Sequence, residues 1–205
     1  MPIKFLASHN CIIFGPSRAG KTEFILQVIR QKLVHPMPRK IYYMYGVKQD
    51  WMDTWNKHEE QAITFLEGMS FDQMDTSEPS LLVVDDLILS GDNKEMANCF
   101  ILGSHHKKIS TFYITQNLFP NCPIFRVLSS NCHYFVLFNS QRHFRQIQTL
   151  ARQMFCGEDI KRVTRAYKRT SQQDRAFILL SLAPGIPREL TVLTDYWEWL
   201  PSVYL

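Results

Sequence analysis

The chain has 205 residues, 45% of them hydrophobic, and a formal net charge of +4 at pH 7. This length suffices for one sizeable core, so we interpret residues 1–205 as a single domain. No apolar run reaches the roughly 18 residues of a membrane span, and Met1–Leu6 lacks the apolar stretch of a signal peptide. The five cysteines are odd in number and lack C-x-x-C spacing, so we expect an intracellular protein with reduced thiols and no zinc site.

The first predicted element is a short buried strand, Cys11–Phe14, which leads directly into a loop that contains two glycines. The segment from Gly15 to Thr22 reads G-P-S-R-A-G-K-T, which matches the phosphate-binding pattern G-x-x-x-x-G-K-[ST]. A helix is predicted next, over Lys21–Leu33, because apolar residues recur there at helical spacing. Strand, loop and helix in this order are the setting that the pattern requires.

Each fixed position of this loop has a physical role. Its backbone N–H groups and the positive end of the following helix form a cradle for anions, and glycine allows the backbone to approach a ligand closely. Lys21 is predicted to reach the β- and γ-phosphates, and the Thr22 hydroxyl to ligate Mg²⁺. We therefore predict ATP and Mg²⁺ as cofactors, with the nucleotide bound by Gly15, Pro16, Ser17, Arg18, Ala19, Gly20, Lys21 and Thr22.

Two carboxylates end another apolar strand further along the chain. After a strand over Ile41–Tyr45 and a polar loop over Met69–Ser80, the strand Leu81–Val84 is followed by Asp85 and Asp86. This is a Walker B pattern, because a buried strand delivers acids to its C-terminal edge beside the P-loop. Asp85 is predicted to hold Mg²⁺ through water, and Asp86 to orient or deprotonate the attacking water. The alternative for Asp86 is a residue that merely caps a loop.

The next predicted helix and strand, Lys94–Ser104 and Thr111–Thr115, are joined by the segment His105-His106-Lys107-Lys108. This segment is either a solvated turn or a loop that faces DNA or another subunit. Gln116 directly follows the strand, where an amide can contact the γ-phosphate or the attacking water and sense its presence. A hydrogen bond from Gln116 to a loop backbone is the alternative.

The remaining predicted elements complete an alternation of strands and helices. The turn chemistry of Ala183–Pro187 indicates a hairpin between the last two strands. The alternation favours an α/β fold with a mostly parallel central sheet flanked by helices and with a C-terminal β-hairpin. The elements are the strand Tyr134–Phe138, the helices Phe144–Met154 and Asp159–Lys168, and the strands Phe177–Leu182 and Thr191–Leu193.

Basic residues are concentrated in the two last predicted helices, on the sides away from their apolar stripes. A basic helix face suits phosphate backbones and positions DNA without reading its sequence. A solvated surface or a contact with an acidic neighbouring subunit are the alternatives. The residues concerned are Arg142, Arg145 and Arg152 with the first helix, and Lys161, Arg162, Arg165, Lys168 and Arg169 in the second.

The four tryptophans favour packing over base stacking. Trp51 and Trp55 are four positions apart and are predicted to share one helix face against the core. Trp197 and Trp199 are predicted to dock on this subunit or on the next one.

Several segments together resemble the genome-packaging ATPases of the FtsK–HerA superfamily, in particular the type of poxviruses, Maverick/Polinton elements and adintoviruses. The likeness runs from about Cys11 to about Asp195, and Ile114–Phe119 and the Leu-Ala-Arg-Gln of Leu150–Phe155 are its most specific parts. The other segments that carry it are Gly15–Thr22, Val83–Asp86, His105–Ser110, Asn131–Phe138 and Phe177–Thr194.

This resemblance implies a RecA-like P-loop NTPase that forms a homo-oligomeric ring and drives double-stranded DNA into a preformed capsid at the capsid vertex. It implies location in the host-cell cytoplasm or nucleus, and in the virion. Such motors take an arginine finger from the neighbouring subunit, for which Arg126, Arg142 and Arg145 are candidates and Arg142 is the first choice. The chain departs from the wider superfamily at Asp86, where Glu is common.

Three other functions fit parts of the pattern. A small-molecule or nucleoside kinase also fits a P-loop in about 200 residues, but it needs an acceptor pocket and an arginine-rich lid. A GTPase is disfavoured because Asn56-Lys57-His58-Glu59 follows no hydrophobic strand. A structural subunit that binds nucleotide with little turnover is kept open by Asp86 in place of Glu.

Overall fold

The computed structural model describes residues 4–87, 94–103, 108–120, 122–170, 175–194 and 202–203, with backbone alone for Leu102, Ser202 and Val203. The predictions for His105, His106, Lys107, Trp197 and Trp199 lie outside these residues. None of the helices in the described ranges is both long enough and apolar enough to cross a membrane.

Among the described residues, nine strands form one sheet, in the order β11-β10-β9-β8-β2-β7-β6-β4-β5, and two others pair in parallel with each other. The small pair consists of β1 (Phe5–Leu6) and β3 (Val34–His35). The large sheet consists of β2 (Asn10–Phe14), β4 (Lys40–Tyr45), β5 (Thr64–Glu67), β6 (Ser80–Asp85), β7 (Ile109–Thr115), β8 (Tyr134–Phe138), β9 (Phe177–Ser181), β10 (Val192–Thr194) and β11 (Ser202–Val203).

The strands from β8 to β5 in this order run parallel, and β9, β10 and β11 continue the sheet antiparallel. Every residue of β2, β6, β7 and β8 is buried. Parallel strands are covered by helices on both faces, which is why these segments read as continuous apolar runs in the sequence. The predicted α/β fold with a mostly parallel sheet and a C-terminal hairpin is confirmed, with β9 and β10 as the hairpin strands.

In the described ranges, six helices flank the sheet: α1 (Lys21–Arg30), α2 (Met52–His58), α3 (Lys94–Asn98), α4 (Pro123–Ser130), α5 (Phe144–Met154) and α6 (Glu158–Thr170). The sheet separates the buried side chains into two clusters, one on each of its faces. Buried residues of α1 and α2 lie in one cluster, and those of α3 to α6 in the other. Neighbouring residues of β2 separate in the same way, with Ile13 in the first cluster and Ile12 in the second.

Several element boundaries differ from the prediction for identifiable reasons. Helix α1 ends at Arg30 rather than Leu33, because Lys32 adopts a left-handed conformation with φ 52° and the chain turns back. The predicted helix Lys94–Ser104 is split into α3 and a π-helical turn over Cys99–Gly103. The predicted helix with Trp51 and Trp55 is confirmed in part: Trp55 lies in α2 and is buried, and Trp51 is its N-terminal cap.

The order of the strands determines which segments meet at the carboxyl-terminal edge of the sheet. Strand β7 lies between β2 and β6, so the end of β7 separates the glycine loop after β2 from the carboxylates at the end of β6. Strand β9 is antiparallel to β8, with Phe177 opposite Phe138, so β9 begins at the edge where β8 ends. Residues immediately before β9 therefore lie near the loop after β2.

Candidate nucleotide-binding site

The loop between β2 and α1 requires glycine at two positions, for different reasons. Gly15 donates its N–H to the carbonyl of Thr115 over 3.3 Å, and a Cβ built on Gly15 would lie 2.6 Å from Cβ of Phe138. Gly20 has φ 99°, in the left-handed region, and is the N-terminal cap of α1. Gly15 is thus required by its close packing against Phe138 and Gly20 by its backbone conformation, at the two glycine positions of the P-loop pattern.

Lys21 lies under this loop and is only 8% exposed. Its Nζ donates to the carbonyl oxygens of Gly15 at 2.9 Å and of Pro16 at 2.7 Å. Burial lowers the pKa of Lys21, and the negative charges of Asp86 and Asp85 oppose this change. The ammonium group is therefore placed between the loop carbonyls and the two carboxylates.

Asp85 ends β6 and is held by a tyrosine that the sequence analysis did not select. The hydroxyl of Tyr43, in β4, donates to Oδ2 of Asp85 over 2.6 Å, and Tyr43 is fully buried. Burial raises the pKa of Asp85, and the hydrogen bond from Tyr43 opposes that rise. The pKa of Tyr43 is itself raised, first by burial and then by Asp85, while a hydrogen bond with the Thr22 side chain opposes this.

The Tyr43 hydroxyl thereby brings together the two residues predicted as metal ligands, Thr22 and Asp85. A hydroxyl and a carboxylate are oxygen ligands, which Mg²⁺ prefers, and Mg²⁺ in such sites takes its other ligands from water and substrate phosphates. Among the described residues there is no group of three or more His, Cys, Asp or Glu that could hold a metal by themselves. The donor set therefore fits a nucleotide-bound Mg²⁺ rather than a metal held by protein ligands alone.

Asp86 follows the end of β6 with φ 51°, a left-handed conformation, and its N–H donates to the carbonyl of Ile114 over 3.1 Å. Its carboxylate accepts a hydrogen bond from Nε2 of Gln116, which follows β7. The two predicted catalytic side chains are thus paired with each other across adjacent strands. The roles predicted for the two side chains stay predictions.

These groups line a cleft of about 620 Å³, which is within the usual range for small-molecule sites. Of the predicted phosphate-binding residues, Ser17, Arg18, Gly20, Lys21 and Thr22 line the cleft, and so do Asp85, Asp86 and Gln116. Gly15 is not in its wall, and Pro16 and Ala19 line a smaller cavity of about 270 Å³ on another side of the loop.

The three candidate finger arginines do not line this cleft. Arg142 is exposed in a short 3-10 helix, Gln141–His143, while Arg126 and Arg145 are exposed on α4 and α5. An arginine that the sequence analysis missed, Arg175, does line the cleft. No local pattern marks Arg175, because its position depends on the antiparallel pairing of β9 with β8.

The segment after β4 forms another wall of the cleft that was not predicted. Tyr45, the last residue of β4, and Gly46, Val47 and Gln49 after it line the cleft, and Val47 is 78% exposed. The sequence signal for this wall is weak, because only the parallel direction of β4 beside β6 places its carboxyl end at the same edge.

No model of a known protein family matches the sequence, and no curated protein is similar to it. The structure is similar to the genome packaging NTPase B204 of Sulfolobus turreted icosahedral virus 2 in complex with AMP. The TM-score is 0.56 and the identity 10%, over 91% of this chain and 96% of that chain. B204, the DNA-packaging ATPase from Sulfolobus Turreted Icosahedral Virus, gives a TM-score of 0.54 at 10% identity, over 86% and 93%.

The flagellar accessory protein FlaH from Methanocaldococcus jannaschii is also similar, with a TM-score of 0.51 and 11% identity over 98% of this chain and 89% of that chain. At these identities the likeness shows the fold. The chain therefore has an α/β fold with a central, mostly parallel sheet of the kind found in these three structures.

Proposed function

We propose that this protein is an ATPase that assembles into a homo-oligomeric ring and moves double-stranded DNA into a preformed viral capsid. The observation that carries the proposal is the convergence of Lys21, Asp85, Asp86 and Gln116 on one cleft beside a glycine loop. The genome-packaging role of B204, which has a similar fold, supports the choice of DNA as the cargo. The protein would act in the host-cell cytoplasm or nucleus, and at the capsid vertex or in the virion.

The phosphates would be bound by the N–H groups of the loop, by the positive end of α1 and by Lys21. Lys21 already lies beside Gly15 and Pro16, so it needs only a short movement from the loop carbonyls toward a phosphate. Thr22 and Asp85 would hold Mg²⁺, which when bound neutralises charge on the β- and γ-phosphates. The hydrogen bond from Tyr43 keeps the Asp85 carboxylate in one orientation.

Asp86 and Gln116 would act on the attacking water. The Asp86 carboxylate accepts a hydrogen bond from the Gln116 amide, which leaves other lone pairs of the carboxylate free to orient a water or take its proton. The left-handed backbone at Asp86 moves its shorter side chain out of line with the strand. Most of the acceleration would come from positioning and charge neutralisation, as in other phosphoryl transfers.

The basic faces of α5 and α6 are the proposed contact with DNA, without sequence specificity. Arg145 and Arg152 are exposed on α5, which carries no acidic residue. Lys161, Arg165, Lys168 and Arg169 are exposed on α6.

Arg162 does not belong to this basic surface, which corrects the sequence interpretation. It is 6% exposed, forms an ion pair with Asp159 over 2.9 Å, and donates to the carbonyl of Arg188. A cation this deep in the fold is held there by these partners, because burying an unpaired charge is costly. Arg162 therefore stabilises the packing of α6 instead of contacting DNA.

The proposal is tested by steady-state ATP hydrolysis measured with and without long double-stranded DNA, with Lys21→Ala as the control variant. We expect hydrolysis that DNA stimulates and that Lys21→Ala abolishes while the fold stays intact by circular dichroism. Slow hydrolysis that DNA does not stimulate, together with stable nucleotide-dependent rings, would instead identify a structural subunit. Phosphoryl transfer to a small acceptor rather than to water would identify a kinase.

A further inference from the structure

We infer that Arg175 binds the phosphate chain of the nucleotide from within the same subunit, as a further cation beside Lys21. The inference rests on the nucleotide binding of the proposed function and assigns a residue to it. It differs from the arginine finger, which comes from a neighbouring subunit.

The position of Arg175 is determined by β9. Asn139 donates its N–H to the carbonyl of Ala176 over 3.0 Å, which ties the start of β9 to the end of β8. The side chain of Arg175 lies over the loop: a Cβ built on Gly20 would lie 3.9 Å from both Cβ and Cδ of Arg175. Arg175 thus lines both the large cleft and the smaller cavity behind the loop.

The Arg175 guanidinium has no carboxylate partner among the described residues, whereas three other exposed arginines do. Arg30, Arg165 and Arg188 each form an ion pair with a glutamate or aspartate. Arg175 also holds a left-handed backbone conformation, with φ 53°, which costs a non-glycine residue free energy. An unpaired arginine held over a glycine loop is suited to bidentate contact with a phosphate.

The strand order puts Arg175 on the opposite side of the loop from the acidic residues. Strand β9 lies two strands from β2 on one side, and β6, with Asp85 at its end, lies two strands from β2 on the other. Arg175 can therefore approach the phosphate oxygens without forming an ion pair with Asp85 or Asp86. The phosphate chain would be held between a cation on one side and the metal-binding acids on the other.

The test measures nucleotide binding by Arg175→Asn and Arg175→Lys at protein concentrations where sedimentation shows monomers. Asparagine removes the charge and tolerates the left-handed backbone, and thermal unfolding reports whether each variant folds. The ligands are a non-hydrolysable ATP analogue and inorganic tripolyphosphate, each competing with a fluorescent nucleotide. Arg39→Asn is the matched control, because Arg39 is exposed and lies outside the cleft at the other end of β4.

We expect Arg175→Asn to weaken binding of both ligands about tenfold or more, the usual effect of losing a hydrogen bond to a charged group. Arg175→Lys should lose less, and Arg39→Asn should bind like the wild type. Binding by folded Arg175→Asn that equals the wild type would overturn the inference. A loss confined to assembled rings would also overturn it, since the contact would then cross a subunit boundary.

The outcomes separate this inference from the proposed function. A wild-type protein that binds nucleotide but does not hydrolyse it refutes the ATPase, while the binding defect of Arg175→Asn still supports the phosphate contact. Normal hydrolysis by the wild type together with normal binding by Arg175→Asn refutes the phosphate contact alone. A wild-type protein that binds neither ligand refutes both.

Discussion

Tyr43 is held by contacts of both its ring and its hydroxyl with residues of other elements. Its ring packs edge-on against Trp51, with centroids 5.4 Å apart, and its hydroxyl reaches a carboxylate at the end of the adjacent strand β6. A buried hydroxyl that donates to a buried carboxylate satisfies both polar groups. We infer that Tyr43 is a positioning residue for Asp85 and contributes no proton of its own.

His9 makes the folded state sensitive to acid. It is 1% exposed, packs against Phe5, Phe112 and Tyr134, and its pKa is lowered to about 3, mainly by burial and against a hydrogen bond to Leu6. The unfolded chain protonates His9 near its ordinary value of 6.5. Between these values the unfolded state binds more protons, so the free energy of unfolding falls as pH drops, by at most about 1.4 kcal/mol per pH unit.

The first prediction is that His9→Phe removes this part of the pH dependence, because phenylalanine fills the aromatic site and takes up no proton. Urea unfolding at pH 7 and at pH 5 measures it. His58→Phe is the control, since His58 is exposed on α2 and should keep the wild-type difference. An unchanged difference in His9→Phe would show that other groups cause the acid sensitivity.

The basic residues of α5 and α6 form a positively charged surface, and the proposed DNA contact depends on this surface as a whole rather than on one residue. They pack on the sheet through buried apolar residues such as Ile147 and Val163, and their opposite sides are basic. Lys161 and Arg165 share Glu158 as an ion-pair partner, which reduces their net contribution. Helix α5 has no such acidic residue, so its arginines should contribute more per residue to DNA binding.

The second prediction concerns Arg145 and Arg152, which are seven positions apart and lie on one side of α5. The logarithm of the DNA-binding constant falls linearly with the logarithm of the salt concentration. Replacing both arginines with alanine should make this slope less steep by about two per subunit, because each lost phosphate contact reduces its magnitude by about 0.9. The weakening should be the same for DNA of different sequences. Fluorescence anisotropy of labelled DNA over a salt series measures this change. The charge-matched control combines Arg39→Ala with Lys57→Ala. An equal change of slope in the control would refute a specific contact between DNA and this side of α5.

The elements that the sequence predicted well have a regular apolar pattern. Strands β2, β6 and β8 were predicted within one residue at each end, because they are buried on both faces and read as uninterrupted apolar runs. Helix α5 was predicted equally well, because its apolar residues recur at helical spacing. Strand β5 was missed because it is an edge strand of four residues with exposed Thr64 and Glu67. Helix α4 was missed because eight residues that begin with Pro123 show too short a periodicity.

At the scale of the whole molecule, the proposed ring accounts for an arginine that does not reach its own site. Arg142 is exposed and lies outside the cleft of its subunit, as a residue acting on the neighbour's nucleotide would. Arg175 lies inside the cleft. The two arginines therefore predict different behaviour in mixed rings.

The third prediction is that Arg142→Ala lowers ATP turnover about 10³-fold or more in rings while leaving nucleotide affinity of the monomer unchanged. Mixing Arg142→Ala with Lys21→Ala subunits should restore part of the activity, because some boundaries then combine an intact Lys21 with an intact Arg142. Mixing Arg175→Asn with Lys21→Ala should restore none. Full activity of Arg142→Ala would exclude Arg142 as the arginine finger, and Arg126 and Arg145 would then be tested in the same way.

The sequence by itself determined the glycine loop between a strand and a helix, the carboxylates after a buried strand, and the basic sides of the last helices. These features depend on residues that are adjacent or one helical turn apart, so local physics specifies them. Only the tertiary structure decided that Tyr43 holds Asp85, across 42 positions, and that Arg175 enters the cleft while Arg162 is buried. Those contacts depend on the order and direction of strands, which are determined by the packing of the whole sheet.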